Sequence, residues 1–133
     1  FTQSYESKDL DASVLLMEPY GFIDAKNPKY IKTVKAIGKE LSYKDLLYRY
    51  KNIDDFGTPS SSFTVCTFWY IDSLFKIGEE KKSKILFEKL LSYSNHLGLF
   101  SEDIDFNSKR LLGNFPQAYS HLALIDTALN FNN

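Results

Sequence analysis

The sequence predicts an all-α fold built as a two-layer array of helices. Two observations support it: five helical segments alternate between apolar-all-round and amphipathic, and the two longest connections both lead into apolar segments. A helix that is apolar on every side needs neighbours on every side, whereas an amphipathic helix covers a core from outside. Consecutive helices should therefore form antiparallel hairpins, and we expect residues 1–133 to be a single unit.

The first three helices are predicted from apolar runs and end signals. Residues 9–19 carry leucine, valine and methionine on nearly every side. Residues 27–42 begin with an asparagine cap followed by proline in the first turn, and their apolar residues form one stripe. Residues 62–77 are apolar nearly all round and end at Gly78. The predicted order is therefore buried, outer, buried.

The fourth and fifth helices continue this alternation. Residues 79–95 are amphipathic with a charged start, and residues 116–131 are again apolar on most sides. Between the second and third helices, residues 46–50 are expected to form a strand-like piece and residues 52–62 a loop. An array of this kind closes into an (α/α) barrel or opens into a solenoid, and the lack of a clear sequence period favours the barrel.

Charge and cysteine content limit the partners and the compartment. The chain has 16 Lys and Arg residues against 17 Asp and Glu residues, which leaves no field for nucleic acid or an acidic membrane surface. No apolar run approaches the roughly 20 residues that a membrane span requires. Cys66 is the single cysteine, so an internal disulfide is excluded and a reducing, cytoplasmic location is favoured. His96 and His121 have no spacing typical of a metal site, so no metal is predicted.

Three polar residues are expected to meet at the end of the array where the long connections lie. Asp11 falls in the first turn of the first apolar helix, Arg49 in the connection before the third helix, and Glu102 in the connection before the fifth. Helix amino ends carry unpaired N–H groups and partial positive charge, so carboxylates are stable there and hydroxyl-rich ligands find donors. The pattern therefore predicts a site for a polar ligand at this end.

Each of the three residues also has a purely structural interpretation. Asp11 is explained as well by a first-turn acid that accepts backbone N–H groups, and Glu102 by an acid in a solvated loop. Arg49 stands between Tyr48 and Tyr50, and in an extended segment its side chain would point opposite to both rings, which favours a guanidinium that binds hydroxyl groups. The alternative for Arg49 is a surface side chain whose stem lies on the rings.

Five blocks of the sequence, in order and at matching intervals, resemble the C-terminal blocks of glycoside hydrolase family 15. That family comprises glucoamylase-type enzymes, including prokaryotic trehalases and glucodextranases. The blocks are LDAS at 10–13, LLYRY at 46–50, FTVCTFWYIDSL at 63–74, GLFSEDID at 98–105 and GNFPQAYSHLALI at 113–125. The resemblance covers essentially the whole chain and implies that residues 1–133 form the C-terminal part of an (α/α)6-barrel catalytic domain, without its N-terminal part.

The resemblance also implies roles for individual residues. The family cleaves α-glucosidic bonds with inversion, which needs one carboxylic acid and one carboxylate base. Glu102 matches the family's base, and Arg49 and Asp11 match residues that bind glucose. Trp69 matches a family position in the helix after the arginine and Gln117 one near the base, so both are also expected to bind substrate, Trp69 being explained equally well as a core residue. No cofactor is implied, because two carboxyl groups suffice for the reaction.

The sequence lacks the Trp-Glu-Glu type of segment from which the family takes its general acid. We therefore expect the parent protein to be a glucoamylase-like hydrolase of α-linked glucose oligosaccharides or disaccharides, and this chain alone to be inactive. A trehalase of the same family and a non-catalytic carbohydrate-binding module are the alternatives. The chain alone is also expected to expose the flanks of its apolar helices, and to self-associate through them or present an apolar patch.

Overall fold

The computed structural model describes residues 1–55 and 57–131; Phe56, in the predicted loop 52–62, and residues 132–133 lie outside the described part. The fold is mainly helical, with short strands between the helices. The elements are a 3₁₀ helix (Ala12–Met17), helices α1 (Pro28–Leu41), α2 (Thr64–Lys76), α3 (Glu80–Leu91) and α4 (Ala118–Asn130), and strands β1 (Ser42–Tyr43), β2 (Leu46–Leu47), β3 (Ser62–Phe63), β4 (Asp103–Ile104) and β5 (Leu111–Leu112).

Helix α2 lies at the centre of the described structure. It contacts the 3₁₀ helix, α1, α3 and α4, and it buries nine of its thirteen residues, including Val65, Phe68 and Ile71. Helix α1 turns one stripe toward the core, with Val34 and Ile37 fully buried, and places its lysines outside. The prediction of a buried third helix and an outer second helix is therefore confirmed.

The first predicted helix is wrong in type and length. Residues 9–19 were expected to be α-helical, but only Ala12–Met17 are helical, as a 3₁₀ helix. Pro19 lacks the N–H that a further helical turn would need, and the chain then turns through Gly21, whose φ is +73° and whose N–H donates to the carbonyl of Glu18. The apolar run therefore forms two turns of 3₁₀ helix rather than a buried α-helix.

The fourth helix ends four residues earlier than predicted, at Leu91. Beyond it, the side-chain oxygen of Asn95 accepts the N–H groups of Leu97 and Leu99, at 2.9 and 2.8 Å. An asparagine that bonds nearby backbone donors in this way offers the chain an alternative to the helix.

The fifth helix begins at Ala118 instead of residue 116, because Gln117 is extended and its N–H is used outside the helix. The prediction that this helix is buried on most sides is not met in the described structure. Only small or polar residues of α4 are buried, while Leu122, Ile125 and Leu129 are 63%, 55% and 57% exposed.

The strands form two small antiparallel sheets that the all-α prediction missed, although a strand-like piece was expected at residues 46–50. Strand β1 pairs with β2 in a hairpin. Strands β3, β4 and β5 form a second sheet in that order, with Phe63 opposite Asp103 and Asp103 opposite Leu112. This sheet joins the connection that leads into α2 to the connection that leads into α4. The prediction that these two long connections lie at the same end is therefore confirmed. The sheet also fixes the segment that carries Glu102.

Candidate active site

Glu102 lies directly before β4, and its backbone is bonded on both sides. Its N–H donates to the carbonyl of Asn114 at 2.9 Å, and its carbonyl accepts the N–H of Thr64, the first residue of α2, at 2.9 Å. The amino end of a helix leaves such N–H groups without helical partners, so this contact satisfies one of them. Glu102 is therefore held between the start of α2 and the strand hairpin.

The two residues before Glu102 are tied to the start of α4. The carbonyl of Phe100 accepts the N–H of Gln117 at 3.0 Å, and the carbonyl of Ser101 accepts the Ser120 hydroxyl at 2.9 Å. The Phe100 N–H donates to Nε2 of His121 at 3.2 Å, while Nδ1 of His121 lies 2.6 Å from the Gln117 carbonyl oxygen. Both histidine contacts are satisfied when Nδ1 carries the proton. Two helix starts therefore position the segment 100–102.

The Glu102 carboxylate is bonded through one oxygen. Its Oε2 accepts the backbone N–H of Asn114 at 3.1 Å and the Asn114 side-chain amide at 2.9 Å. No other described residue donates a hydrogen bond to this carboxylate.

Asp11 and Arg49 form an ion pair, with Asp11 Oδ2 and Arg49 Nε 3.5 Å apart. Asp11 caps the 3₁₀ helix through Oδ1, which accepts the Ser13 N–H at 2.7 Å, and it is buried. The Arg49 carbonyl accepts the N–H of Ala12 at 2.8 Å, so the backbones are joined as well. The capping interpretation of Asp11 is therefore confirmed, and the same carboxylate orients a guanidinium that stays half exposed.

The orientation predicted for Arg49 is wrong in one respect. The chain bends at Arg49 instead of continuing extended, and the guanidinium carbon lies 5.7 Å from the centroid of the Tyr50 ring. The guanidinium is thus placed by a carboxylate and by an aromatic ring at a distance typical of cation–π contacts.

Arg49 and Glu102 line the same open cleft, which has a volume of about 490 Å³. The residues 57–61 form one wall, and Phe63 and Tyr50 contribute rings. Tyr50 donates a hydrogen bond to Asp54, and that bond raises the pKa of the Tyr50 phenol. The cleft therefore offers a cation, a carboxylate, hydroxyl groups and aromatic surface, a set that suits a neutral polyhydroxylated ligand.

Asp103 is a further carboxyl group in the cleft, which Glu102 and Asp54 also line. Burial raises its pKa, the hydrogen bond from the Ser61 hydroxyl opposes that rise, and the neighbouring Glu102 charge adds to it. Because its side chain is bonded to Ser61, Asp103 links the cleft wall to β4. Its position favours a structural role beside Glu102.

Trp69 and Gln117 are not among the residues that line this cleft. Trp69 lines a separate cavity of about 160 Å³ between the 3₁₀ helix, α2 and α4, where its ring meets that of Tyr119 at 5.8 Å. The Gln117 side chain accepts the Ser120 hydroxyl at 2.8 Å. In the described structure Trp69 therefore packs between helices and Gln117 supports the start of α4.

Sequence reasoning missed the residues that hold Glu102 in place, chiefly Asn114 and His121. The Gly113–Asn114 pair was visible as a turn signal, but its partner was not, because the contact spans twelve residues. His121 looked like an isolated histidine on an apolar helix, and only the fold brings its ring to Phe100.

The described residues contain no group of three or more His, Cys, Asp or Glu side chains placed to hold a metal ion. In the same part of the chain, no helix has the length and apolar character needed to cross a bilayer.

Comparison with curated proteins identifies long relatives. The chain is 43% identical over 129 residues to a protein named trehalase from Thermoplasma volcanium, a match that covers 96% of the chain and 21% of the relative. It is 41% identical over 133 residues to a trehalase from Mycobacterium tuberculosis, covering 98% of the chain and 20% of the relative. The chain thus spans about a fifth of the length of these proteins.

Comparison of structures and family models gives a consistent result. A solved structure described as a wild-type glycosidase superposes with a TM-score of 0.80 at 15% identity, covering 96% of this chain and 37% of that one. This likeness concerns the fold alone, which is mainly helical. The model of Glycosyl hydrolases family 15 matches residues 1–129. With that match and relatives above 40% identity, the chain belongs to glycosyl hydrolase family 15.

Proposed function

We propose that this chain is the base-carrying part of a trehalose-hydrolysing enzyme that acts with inversion. The observation that carries the proposal is the shared cleft of Glu102 and Arg49, in a chain whose curated relatives above 40% identity are named trehalase. Those names favour trehalose over the glucoamylase-type substrates that the sequence analysis placed first. The rest of the protein completes an (α/α)6 barrel around the cleft.

In the proposed reaction, Glu102 is the general base. Its carboxylate takes a proton from a water molecule as that water attacks the anomeric carbon of one glucose unit. The bond between that carbon and the bridging oxygen breaks, and a general acid protonates the bridging oxygen as the second glucose leaves. The acid is supplied by a residue outside these 133, since no segment here matches the family's acid.

Arg49 and Asp11 form the glucose-binding part of the proposed site. The guanidinium presents a fork of N–H donors suited to two neighbouring hydroxyl groups, and the Asp11 ion pair limits its rotation. A ligand without charge gains from such preorganised donors, because less rotational freedom is lost on binding. Trp69 and Gln117 lie outside this cleft and support α4, Trp69 through the Tyr119 ring and Gln117 through the Ser120 hydroxyl.

The substrate is tested with the full-length protein on trehalose and on maltooligosaccharides. We expect glucose release to be faster from trehalose, and early proton NMR spectra to contain α- and β-glucose in equal amounts. Inversion at one anomeric carbon gives one β product, and the leaving glucose keeps its α configuration. Two α products would mean retention and would remove Glu102 as a base for water. Preference for maltooligosaccharides would restore the glucoamylase-type assignment, and binding without hydrolysis would favour the carbohydrate-binding module.

The exposed leucine and isoleucine side chains of α4 lead to a prediction for the 133-residue chain produced alone. Leu122, Ile125 and Leu129 lie at spacings of three and four along the helix and are each more than half exposed. We expect this chain to be inactive on trehalose and either to dimerise in light scattering or to enhance the fluorescence of an apolar dye. Replacing the three residues with Gln, Lys and Gln should reduce both signals. A monomeric chain that does not enhance the fluorescence of the dye would contradict this prediction.

A further inference from the structure

One oxygen of Glu102 is held by a single residue through two donors. Oε2 accepts from the backbone N–H of Asn114 at 3.1 Å and from its side-chain amide at 2.9 Å, while no described residue donates to Oε1. The Asn114 carbonyl in turn accepts the Glu102 N–H at 2.9 Å. Three hydrogen bonds therefore join the same two residues, and they restrain both the backbone and the side-chain torsions of Glu102.

The residue before Asn114 allows this close approach. Gly113 has a φ of +73°, and a Cβ atom placed there would lie 2.9 Å from Glu102 Oε2 and 3.1 Å from Glu102 Cβ. Such distances are below ordinary van der Waals contact, so any side chain at 113 would displace the carboxylate. A glycine is therefore needed for the backbone conformation and for the space that Glu102 occupies.

We propose that Asn114 is a positioning residue that holds Glu102 by Oε2 and leaves Oε1 as the oxygen that takes the proton from water. The proposal rests on the proposed function, in which Glu102 is the general base. A base works only when its accepting oxygen is within hydrogen-bond reach of the proton, and a misplacement of about 1 Å is costly. The two donors from Asn114 select one orientation of a carboxylate that would otherwise rotate. They also fill the lone pairs of Oε2, so that water is activated on one side only.

The test is Asn114→Asp in the full-length protein. This change keeps the shape and the backbone N–H but replaces the amide donor by a carboxylate that repels Oε2. We expect kcat on trehalose to fall roughly 10- to 100-fold, with KM nearly unchanged. Asn107→Asp, which makes the same change in the loop between β4 and β5, should keep full activity. A protein with native circular dichroism and unchanged kcat would overturn the proposal.

A double-mutant cycle separates positioning from a general structural effect. In a Glu102→Gln background, Asn114→Asp should cause almost no further loss of kcat, because a residue that acts through Glu102 has no separate effect once the base is gone. Equal losses in both backgrounds would mean that Asn114 only supports the fold, and would overturn the proposal. If Glu102→Gln itself costs nothing, the proposed function fails. If it is costly while Asn114→Asp is harmless, only the positioning role fails.

Discussion

Glu102→Gln in the full-length protein is expected to lower kcat on trehalose by about 10²- to 10⁴-fold with little change in KM. The amide has nearly the same shape and can still accept the Asn114 N–H groups through its oxygen, but it cannot take a proton from water. Because the backbone of Glu102 is held by Thr64 and Asn114, the substitution should leave the fold intact. Steady-state kinetics on trehalose, with a circular dichroism spectrum of each variant, makes the measurement.

The matched control is Glu88→Gln, which makes the same chemical change on the exposed face of α3. This variant should retain wild-type kcat and KM, since Glu88 lies outside the cleft. Equal activity of Glu102→Gln and Glu88→Gln would remove the assignment of Glu102 as base. A large rise in KM with unchanged kcat would instead indicate that Glu102 only binds the sugar.

The burial of a helix could be predicted from its apolar pattern where the residues that cover the helix lie within this chain. The stripe of α1 and the all-round apolar character of α2 both correspond to burial, because their neighbours lie within the same 133 residues. The pattern of α4 predicted more burial than the described structure shows, since Leu122 and Ile125 remain more than half exposed. A sequence pattern indicates that a face will be covered, but not by which part of a protein.

The short strands and the 3₁₀ helix could not be predicted from the periodicity of apolar residues. Two-residue strands such as β3 and β4 are too short to show an alternating pattern, and they pair only after the fold has brought residues 62 and 104 together. The apolar run at residues 9–19 has the composition of a helix, but Pro19 and the turn at Gly21 end it. The proline and the glycine turn therefore determined where this helix ends, although the apolar content predicted a longer one.

The residues of the candidate site could be predicted from their types and positions in the sequence. The hydrogen bonds that hold these residues in place could not. Asp11, Arg49 and Glu102 were placed at one end of the fold, and two of them line one cleft while the third orients Arg49. The supporting bonds from Asn114 and His121 depend on distances between segments, and no local pattern encodes them.

The second large effect is expected at Arg49. Arg49→Ala in the full-length protein should raise KM on trehalose roughly 10- to 100-fold, because hydrogen bonds from a charged donor contribute about 1.5–3 kcal/mol each. It should also lower the free energy of unfolding by about 1–3 kcal/mol, since it leaves the buried carboxylate of Asp11 with the Ser13 N–H as its remaining described partner. Kinetics and urea denaturation report the two effects separately.

A second substitution at Asp11 distinguishes these two roles of Arg49. In Arg49→Ala/Asp11→Asn, the neutral amide oxygen still accepts the Ser13 N–H and no unpaired charge is buried, so stability should recover while KM stays high. Lys51→Ala removes an exposed cation two residues away, outside the residues that line the cleft, and should leave KM unchanged. If the double variant regains both stability and KM, Arg49 acts only by neutralising Asp11, and the glucose-binding role fails. If stability recovers and KM stays raised, the guanidinium of Arg49 itself binds the sugar, and Asp11 orients that guanidinium.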